Sequence, residues 1–532
     1  MGKVIEERSK AIAAEKAERK MSIARHYAAA RPNRLNADWS TSPTGANYEI
    51  RGGIAALRAR AREAARNNGH IRNFLNLMRT NVIGSQGIAL QSRARMTDKK
   101  TLNVDLNKRV EEAWFEWGHR EHCTLSGKLD WLGVQNLALT QLLRDGEFIV
   151  QTIEGVGDFG LALKVWDANW LDETYNEVLP NGNRVIMSVE IDAHDRAVAY
   201  WLTTPSSEIN YTARRARTRT RIPADQIIHG FLVTDDESQV RGVTWFAATL
   251  LNLKHFQGYV EGVVTQARVG ANTFGVLENT VPDGEEYTGE EDEDGNPQHP
   301  HIESSPLSIT ALLPGWKLNQ FDPKQPTQNH PEFSRSMQTN IGTDLSMPYF
   351  LLAGDWTAVN FSSSRGGLNE FRDLCKGLQE FISKVLCRPV AHKFMLNAVL
   401  NGKLKVTARD IPELLNPTWR PRGWGYIDPA KDVATDEKKL RNRLATPSEI
   451  LAERGIDYVD HLERWQSDAK LAAQYGIDID AIYAEQPKQL AAAEPDVDDD
   501  PPPDDDGDPK KPGRCRRRLC GQMRHRASAC RA

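Results

Sequence analysis

Residues 244–270, TWFAATLLNLKHFQGYVEGVVTQARVG, hold a helical period for about six turns. Phe246, Leu250, Leu253, Gln257, Val260, Val264 and Ala267 step by four and three alternately, a heptad-like seam with one polar break. Gly258 and Gly262 sit four apart on this helix, a spacing of small residues that lets a neighbouring backbone approach closely. Near Gly270 the pattern stops. A segment with an acidic run and with Pro297, Pro300, Pro306 and Pro314 follows, and it cannot be one long helix. A second helix opens at Pro331, favourable at the first helical position, and carries Phe333, Met337, Ile341 and Leu345 on one side up to Pro348. Helix, insertion and helix in this order predict an antiparallel helical pair with a small subdomain at its far end.

Upstream, the sequence reads as a mixed α+β region. Arg51 to Arg66 repeats Ile54, Leu57, Ala61, Ala64 and Ala65 at helical spacing until Asn67-Asn68-Gly69 breaks it, and a shorter helix is expected from His70 to Thr80. Six arginines between Arg51 and Arg72 mark either a solvated helix face or a surface facing phosphate or an acidic neighbour. Val104 to Trp117 and Trp131 to Asp145 are amphipathic helices, the second closing at Gly146. The period then becomes two. Glu147 to Glu154, Leu161 to Asp167, Arg184 to Asp192, Ala197 to Thr203 and Ile222 to Val233 read as strands, the first four as an antiparallel meander. Downstream, Gly354 to Asn360 is a loop and Ser362 to Leu386 a long helix ending before Pro389. Thr446-Pro447-Ser448-Glu449 is a capping box whose helix closes at Gly455, and Asp457 starts another.

The 532 residues suggest about three or four structural units at roughly 100–200 residues each. With 68 Lys plus Arg against 72 Asp plus Glu, neither a strongly basic nucleic-acid binder nor a halophile-like acidic surface is indicated. The balance conceals eight carboxylates from Asp283 to Asp294, nine from Glu494 to Asp508 and nine cations from Lys510 to Arg531. Without them 59 basic residues face 55 acidic ones, a mildly positive body. Six cysteines, three of them in the last eighteen positions, do not make a disulfide framework and point to a reducing compartment. No apolar stretch reaches the about 20 residues of a spanning helix, and the N-terminus is charged throughout, so neither secretion nor membrane insertion is expected.

Signals for chemistry are sparse. GxxxxGK[ST] does not occur, which argues against a P-loop ATPase. Gly155-Val156-Gly157-Asp158-Phe159-Gly160 matches GxGxxG but runs into a strand, so it reads as a hairpin turn. Glu290, Asp292 and Asp294 imitate an EF-hand opening, yet His301 stands where a bidentate Glu is needed. His299 and His301 lack partners at metal-ligand spacing, and Cys515, Cys520, His525 and Cys530 are irregularly spaced in an Arg-rich tail. Ser362-Ser363-Ser364-Arg365 reads as helix N-capping after a loop. No catalytic residue, metal ligand or cofactor site is assigned.

The order of short motifs resembles the portal proteins of tailed bacteriophages, lambda type. These motifs are Arg58-Ala59-Arg60-Ala61-Arg62, Asn67-Asn68, Trp114-Phe115-Glu116-Trp117, Asp145-Gly146-Glu147, Ile222-Pro223-Ala224, Ile228-His229 and Arg241-Gly242-Val243. Pro314-Gly315, Asn360-Phe361-Ser362-Ser363-Ser364-Arg365, Trp419 and Ile427-Asp428-Pro429-Ala430-Lys431-Asp432 complete the series, over roughly residues 30 to 480.

The resemblance implies a non-enzymatic structural protein. It would form a ring, a dodecamer, at one capsid vertex, through which double-stranded DNA is packaged and ejected. It also implies docking of terminase and of a head-completion or adaptor protein, and nucleation of head assembly with major capsid and scaffold proteins. Assembly would take place in the host cytoplasm, with no membrane and no cofactor. The implied division is a charged arm at 1–30, wing at 31–243, first stem helix at 244–272, clip at 273–328 and second stem helix at 329–347. Tunnel loop, long helix and return to the wing take 348–430, crown helices 431–486, and an acidic linker and basic tail, disordered by composition, 487–532. Trp356, Thr357, Val359 and Asn360 are then candidates for contact with DNA in the tunnel loop, and Gly258 and Gly262 for stem packing in the ring. The acidic clip insert and the Cys-containing tail depart from the family pattern. A metal-dependent nucleic-acid enzyme and a protein-binding adaptor without a channel are the alternatives in other classes.

Overall fold

The computed structural model describes residues 44–96, 103–205, 217–271, 275–279, 316–320, 330–357, 359–406, 410–426 and 428–475. The chain divides into two compact units, Met1–Tyr458 and Val459–Ala532. The first opens with α1 (Ala46–Asn67) and α2 (Gly69–Met78), the Asn68 side chain accepting from the backbone N–H of His70 and Ile71 to cap α2. A π-helical turn, Arg79–Ile83, prolongs α2, and strand β1 (Ala89–Gln91) follows. Helices α3 (Val104–Trp117) and α4 (Trp131–Asp145) have the limits expected from their sequence. Asp130 caps α4 through the Gly133 N–H, and Gly146 ends it in the left-handed conformation.

Strand β2 (Glu147–Glu154) lies between β3 (Leu161–Trp166) and β9 (Ile227–Phe231), antiparallel to both. The GxGxxG segment is the β2–β3 hairpin turn, with the Gly155 N–H donating to the Gly160 carbonyl. A five-stranded antiparallel sheet runs in sequence order through β4 (Glu177–Val178), β5 (Arg184–Ile186), β6 (Val189–Ile191), β7 (Ala197–Pro205) and β8 (Arg217–Pro223). Two expectations need correction here. Arg184 to Asp192 is a hairpin rather than one strand, turning at Met187 and Ser188 with φ of 47° and 70°. The apolar run from Ile222 to Val233 is split at Pro223, and the basic segment before it forms β8 itself.

After a buried turn that contains Phe246, helix α5 spans Leu250–Ala271, starting later than the helical spacing from Thr244 implied. Strands β10 (Gly275–Asn279) and β11 (Trp316–Gln320) pair antiparallel, and α6 (His330–Asp344) follows. A short helix, Tyr349–Ala353, precedes α7 (Phe361–Ile382). The expected stop before Pro389 does not occur. A π-helical turn, Ser383–Cys387, joins α7 to α8 (Arg388–Leu400), so Pro389 falls in the first turn of a new helical segment, where its missing N–H is tolerated. Strand β12 (Thr418–Arg420) returns to pair with β1, and α9 (Pro429–Arg441) and α10 (Pro447–Glu453) close the unit. The capping box at Thr446 and Glu449 is complete in both directions. Helix α11 (Tyr458–Gln474) carries the described residues of the second unit.

β2 separates two apolar cores. Phe148 and Val150 point into the larger one with α2, α3, α4, α7 and α8, whereas Ile149 points into a smaller one under the five-stranded sheet with Ile50, Ile54, Val189 and Leu202. At the centre of the larger core Trp114 packs on Trp117, Trp131 and Phe394 with ring centroids 4.9, 5.4 and 5.1 Å apart. Each such aromatic pair adds about 0.5–1.5 kcal/mol beyond its burial. The Trp114-Phe115-Glu116-Trp117 motif is therefore a core anchor, with Trp117 donating its indole N–H to the Leu161 carbonyl at 2.9 Å.

Candidate functional site

Four of the quoted motifs meet in one buried ionic hub where the two cores adjoin. Glu147, at the start of β2, accepts from Arg58 of α1 at 2.8 Å, from Arg241 Nε at 2.9 and 3.0 Å, and from the Gly242 N–H at 3.2 Å. It also shares a 3.0 Å hydrogen bond with His229 of β9. Burial alone would raise the Glu147 carboxyl, but the Arg241 charge, hydrogen bonds from His229 and Arg241, and the Arg58 charge hold it well below the usual carboxylate range. Arg241, fully buried, also donates to the carbonyls of Met187 and Leu171. Beside the hub, Arg62 grips Asp145 at 2.8 Å and Asp167 at 2.7 Å. Of the six arginines on α1 and α2, Arg58 and Arg62 thus face acidic neighbours, while Arg51, Arg60, Arg66 and Arg72 are exposed.

The glycines in these motifs serve close approach. A Cβ on Gly242 would fall 2.1 Å from the Gly146 carbonyl oxygen, and one on Gly146, at φ +90°, 2.4 Å from the Val243 carbonyl carbon. Two backbones cross here with no room for side chains, and the chain leaves the crossing toward α5.

α5 and α6 form an antiparallel pair rooted in the larger core. Asn252 donates to Asp344 at 2.9 Å, Trp245 donates its indole N–H to the Leu345 carbonyl at 3.2 Å, and Tyr259 reaches His330 at 3.0 Å with its ring 4.5 Å from Phe333. The heptad-like seam is not the face turned to α6. Leu253 is buried, but Gln257, Val260 and Val264 are exposed, and the contacts come from Asn252 and Tyr259 instead. Gly258 and Gly262 have open space where a Cβ would stand. An open groove of about 720 Å³ follows this outer face, lined by Lys254, Gln257, Gly258, Val264, Asn68 and His70.

The segment after the short helix is stapled at both ends. Asp355 accepts from Arg335 of α6 at 2.9 Å, from the Tyr349 hydroxyl at 2.8 Å and from the Thr357 N–H and hydroxyl at 3.0 and 2.5 Å. Hydrogen bonds from Thr357, then Tyr349, then Arg335 hold its carboxyl below the usual range. Asn360 caps α7 by accepting from the Ser363 N–H at 2.8 Å. The four loop candidates therefore lie together. The side chains of Thr357 and Asn360 are engaged in shaping the loop, Val359 is half-buried, and Trp356 is 55% exposed beside Phe350. Sequence reading left out Asp355 and Arg335 as determinants of this loop, because their contact joins positions twenty residues apart. Downstream, Arg365 pairs with Asp432 at 2.7 Å, so the Asn360–Arg365 and 427–432 motifs lock together.

Among the described residues no group of three or more His, Cys, Asp and Glu side chains could hold a metal ion, and no helix is long and apolar enough to cross a membrane. The acidic run Asp283–Asp294, His299, His301 and the Cys-containing tail lie outside the described residues, as do most of the expected clip and the whole N-terminal arm.

A core-rooted helix pair, a loop stapled between it and a long helix, and a buried hub at the backbone crossing are the parts of a structural element. In the hub and the loop the charged groups are paired with one another. The family model for the lambda family of phage portal proteins matches residues 32–379. A curated relative, the probable portal protein of Halomonas phage phiHAP-1, is 31% identical over 493 residues, 91% of this chain and 94% of the relative. Solved structures with similarity include the neck of an empty GTA particle computed with C6 symmetry, at 13% identity, TM-score 0.43, and coverage of 79% of this chain and 97% of that one. The virion of a native gene transfer agent particle gives 14% identity, TM-score 0.41 and the same coverages. The chain belongs to the lambda family of phage portal proteins, and it is a structural portal protein.

Proposed function

We propose that the chain closes into a dodecameric ring at one capsid vertex and conducts double-stranded DNA, with α5 and α6 as the stem and residues 354–360 as the loop that narrows the channel. The observation that carries this reading is the exposed surface of α5. Val260 and Val264 are exposed among the described residues, and Gly258 and Gly262, on the other side of the helix, present bare backbone, while Leu253 and Phe256 root its first turns in the core. A long helix that exposes valines and bare glycine backbone between Lys254, Glu261 and Arg268 gains apolar burial when a second surface covers it, and a rotated copy of the subunit supplies one in a closed ring. On the same reading residues 31–243 are the wing, 273–328 the clip and 431–486 the crown. Terminase and a head-completion protein dock at the clip, and head assembly starts from the ring with capsid and scaffold proteins in the host cytoplasm. Negative-stain imaging and native mass measurement of the purified protein test the ring. Closed rings are expected, and a monomer at every concentration, also alongside capsid protein, overturns it.

A further inference from the structure

Gly354 to Asn360 is held by more than its own turn. One carboxylate oxygen of Asp355 takes the two Thr357 donors, which fold the loop locally; the other takes Arg335 and Tyr349, which lie on α6 and the short helix. The Arg335 guanidinium also lies over the Tyr349 ring, 5.8 Å from its centroid. Four donors from three elements thus converge on one side chain. Next to it Trp356 leans on Phe350 with centroids 5.2 Å apart and leaves more than half its surface open. Gly354, left-handed at φ +68° with nothing near its missing Cβ, lets the chain turn out of the short helix at this point. The far end is pinned to α7 by Asn360, so the only charged link from the loop to the helix pair is Arg335 to Asp355 among the described residues.

We propose that Asp355 is a positioning residue, a latch through which Arg335 of the stem sets where the exposed Trp356 stands, so that a shift of α6 along the stem is passed directly to the loop. The inference rests on the channel reading above for its functional consequence, and on the hydrogen bonds alone for its mechanical part. Its two halves separate chemically. Arg335→Gln removes the stem link and leaves both Thr357 bonds intact, whereas Thr357→Val removes the hydroxyl bond, keeps the N–H bond and leaves the stem link.

Hydrogen exchange by mass spectrometry on assembled full-length rings reads the latch, and DNA retention by filled particles reads its consequence. Because Arg335 is half exposed, Arg335→Gln should speed exchange in residues 354–360 by about two- to fivefold without changing α7 beyond Gly366. Arg335→Lys should restore most of the protection, and about 1 M salt should bring the wild-type loop close to the Gln variant by screening. Unchanged loop exchange in Arg335→Gln, or wild-type exchange indifferent to salt, overturns the latch whatever happens to DNA. Faster loop exchange with lower DNA retention supports it. Faster loop exchange with normal retention in both Arg335→Gln and Trp356→Ala keeps the mechanical link and overturns the channel reading of this loop.

Discussion

Replacing Glu147 with Gln tests whether the ionic hub stabilises the junction from which α5 departs. Glu147 is fully buried and is the shared partner of Arg58 and Arg241, which are themselves almost wholly enclosed. Glutamine keeps the size and one acceptor oxygen but takes the carboxylate from Arg241 and leaves Arg58 with only the charge of Asp145 nearby. Removing one partner of a buried pair typically costs about 3–5 kcal/mol, and two dependent cations place this case at the upper end. The measurement is the urea unfolding midpoint at fixed protein concentration and pH 7, followed by the fluorescence of the 13 tryptophans. The pH dependence has a definite sign. Glu147 titrates lower in the folded chain than its ordinary value of 4.5, so its contribution is complete above about pH 4.5 and is lost as pH falls through the folded value. The gap between wild type and Glu147→Gln should therefore be present at pH 7 and narrow on acidification below about pH 4.5. A gap under about 1 kcal/mol at pH 7, or one that widens in acid, refutes the assignment.

Three further outcomes are expected. Gly258→Ala and Gly262→Ala place a methyl group in open space within the subunit, so each should raise the stability of unassembled subunits by up to about 1 kcal/mol while lowering ring yield in native mass spectra; unchanged rings would remove the packing role. Gly242→Ala should abolish soluble expression or correct assembly, since its Cβ would fall 2.1 Å from the Gly146 oxygen, and normal yield would contradict the backbone crossing. Trp356→Ala should leave rings intact and lower DNA retention in filled particles, whereas failure to assemble would make the loop an assembly element.

What the sequence disclosed was local, and what it withheld was tertiary. The limits of α3, α4 and β2 follow from an Asn or Asp cap, a left-handed glycine and a change of period, all within a few residues. The burial of Arg58 and Arg62 could not be read from α1, because the carboxylates that draw them in stand more than eighty residues away at Asp145, Glu147 and Asp167. The turn at Met187 and Ser188 carries no Gly or Asn to announce it. It is held instead by Arg241 donating to the Met187 carbonyl and by Ser188 donating to the Asp172 carbonyl. Pro389 misled for a related reason, since a π-helical turn ahead of it lets the helical path resume where a proline rule alone predicts an end. For the loop, sequence order located the four candidates but not the division of labour between them.

That division bears on how a channel of this kind handles its cargo. A conduit must let every sequence slide, so dense pairing of fixed arginines with phosphates would retard movement. In the described part of the loop the charge is already neutralised internally, Asp355 against Arg335, and the polar groups of Thr357 and Asn360 are turned to backbone N–H donors or to Asp355. The exposed aromatic face of Trp356 remains, and on the proposed channel reading it would meet a passing helix without singling out any phosphate or base. On the proposed channel reading, a loop given an extra positive charge, as in Thr357→Arg, should therefore bind DNA more tightly yet package it more slowly. An increase in packaging rate with added positive charge would refute the view that the loop is built for low friction.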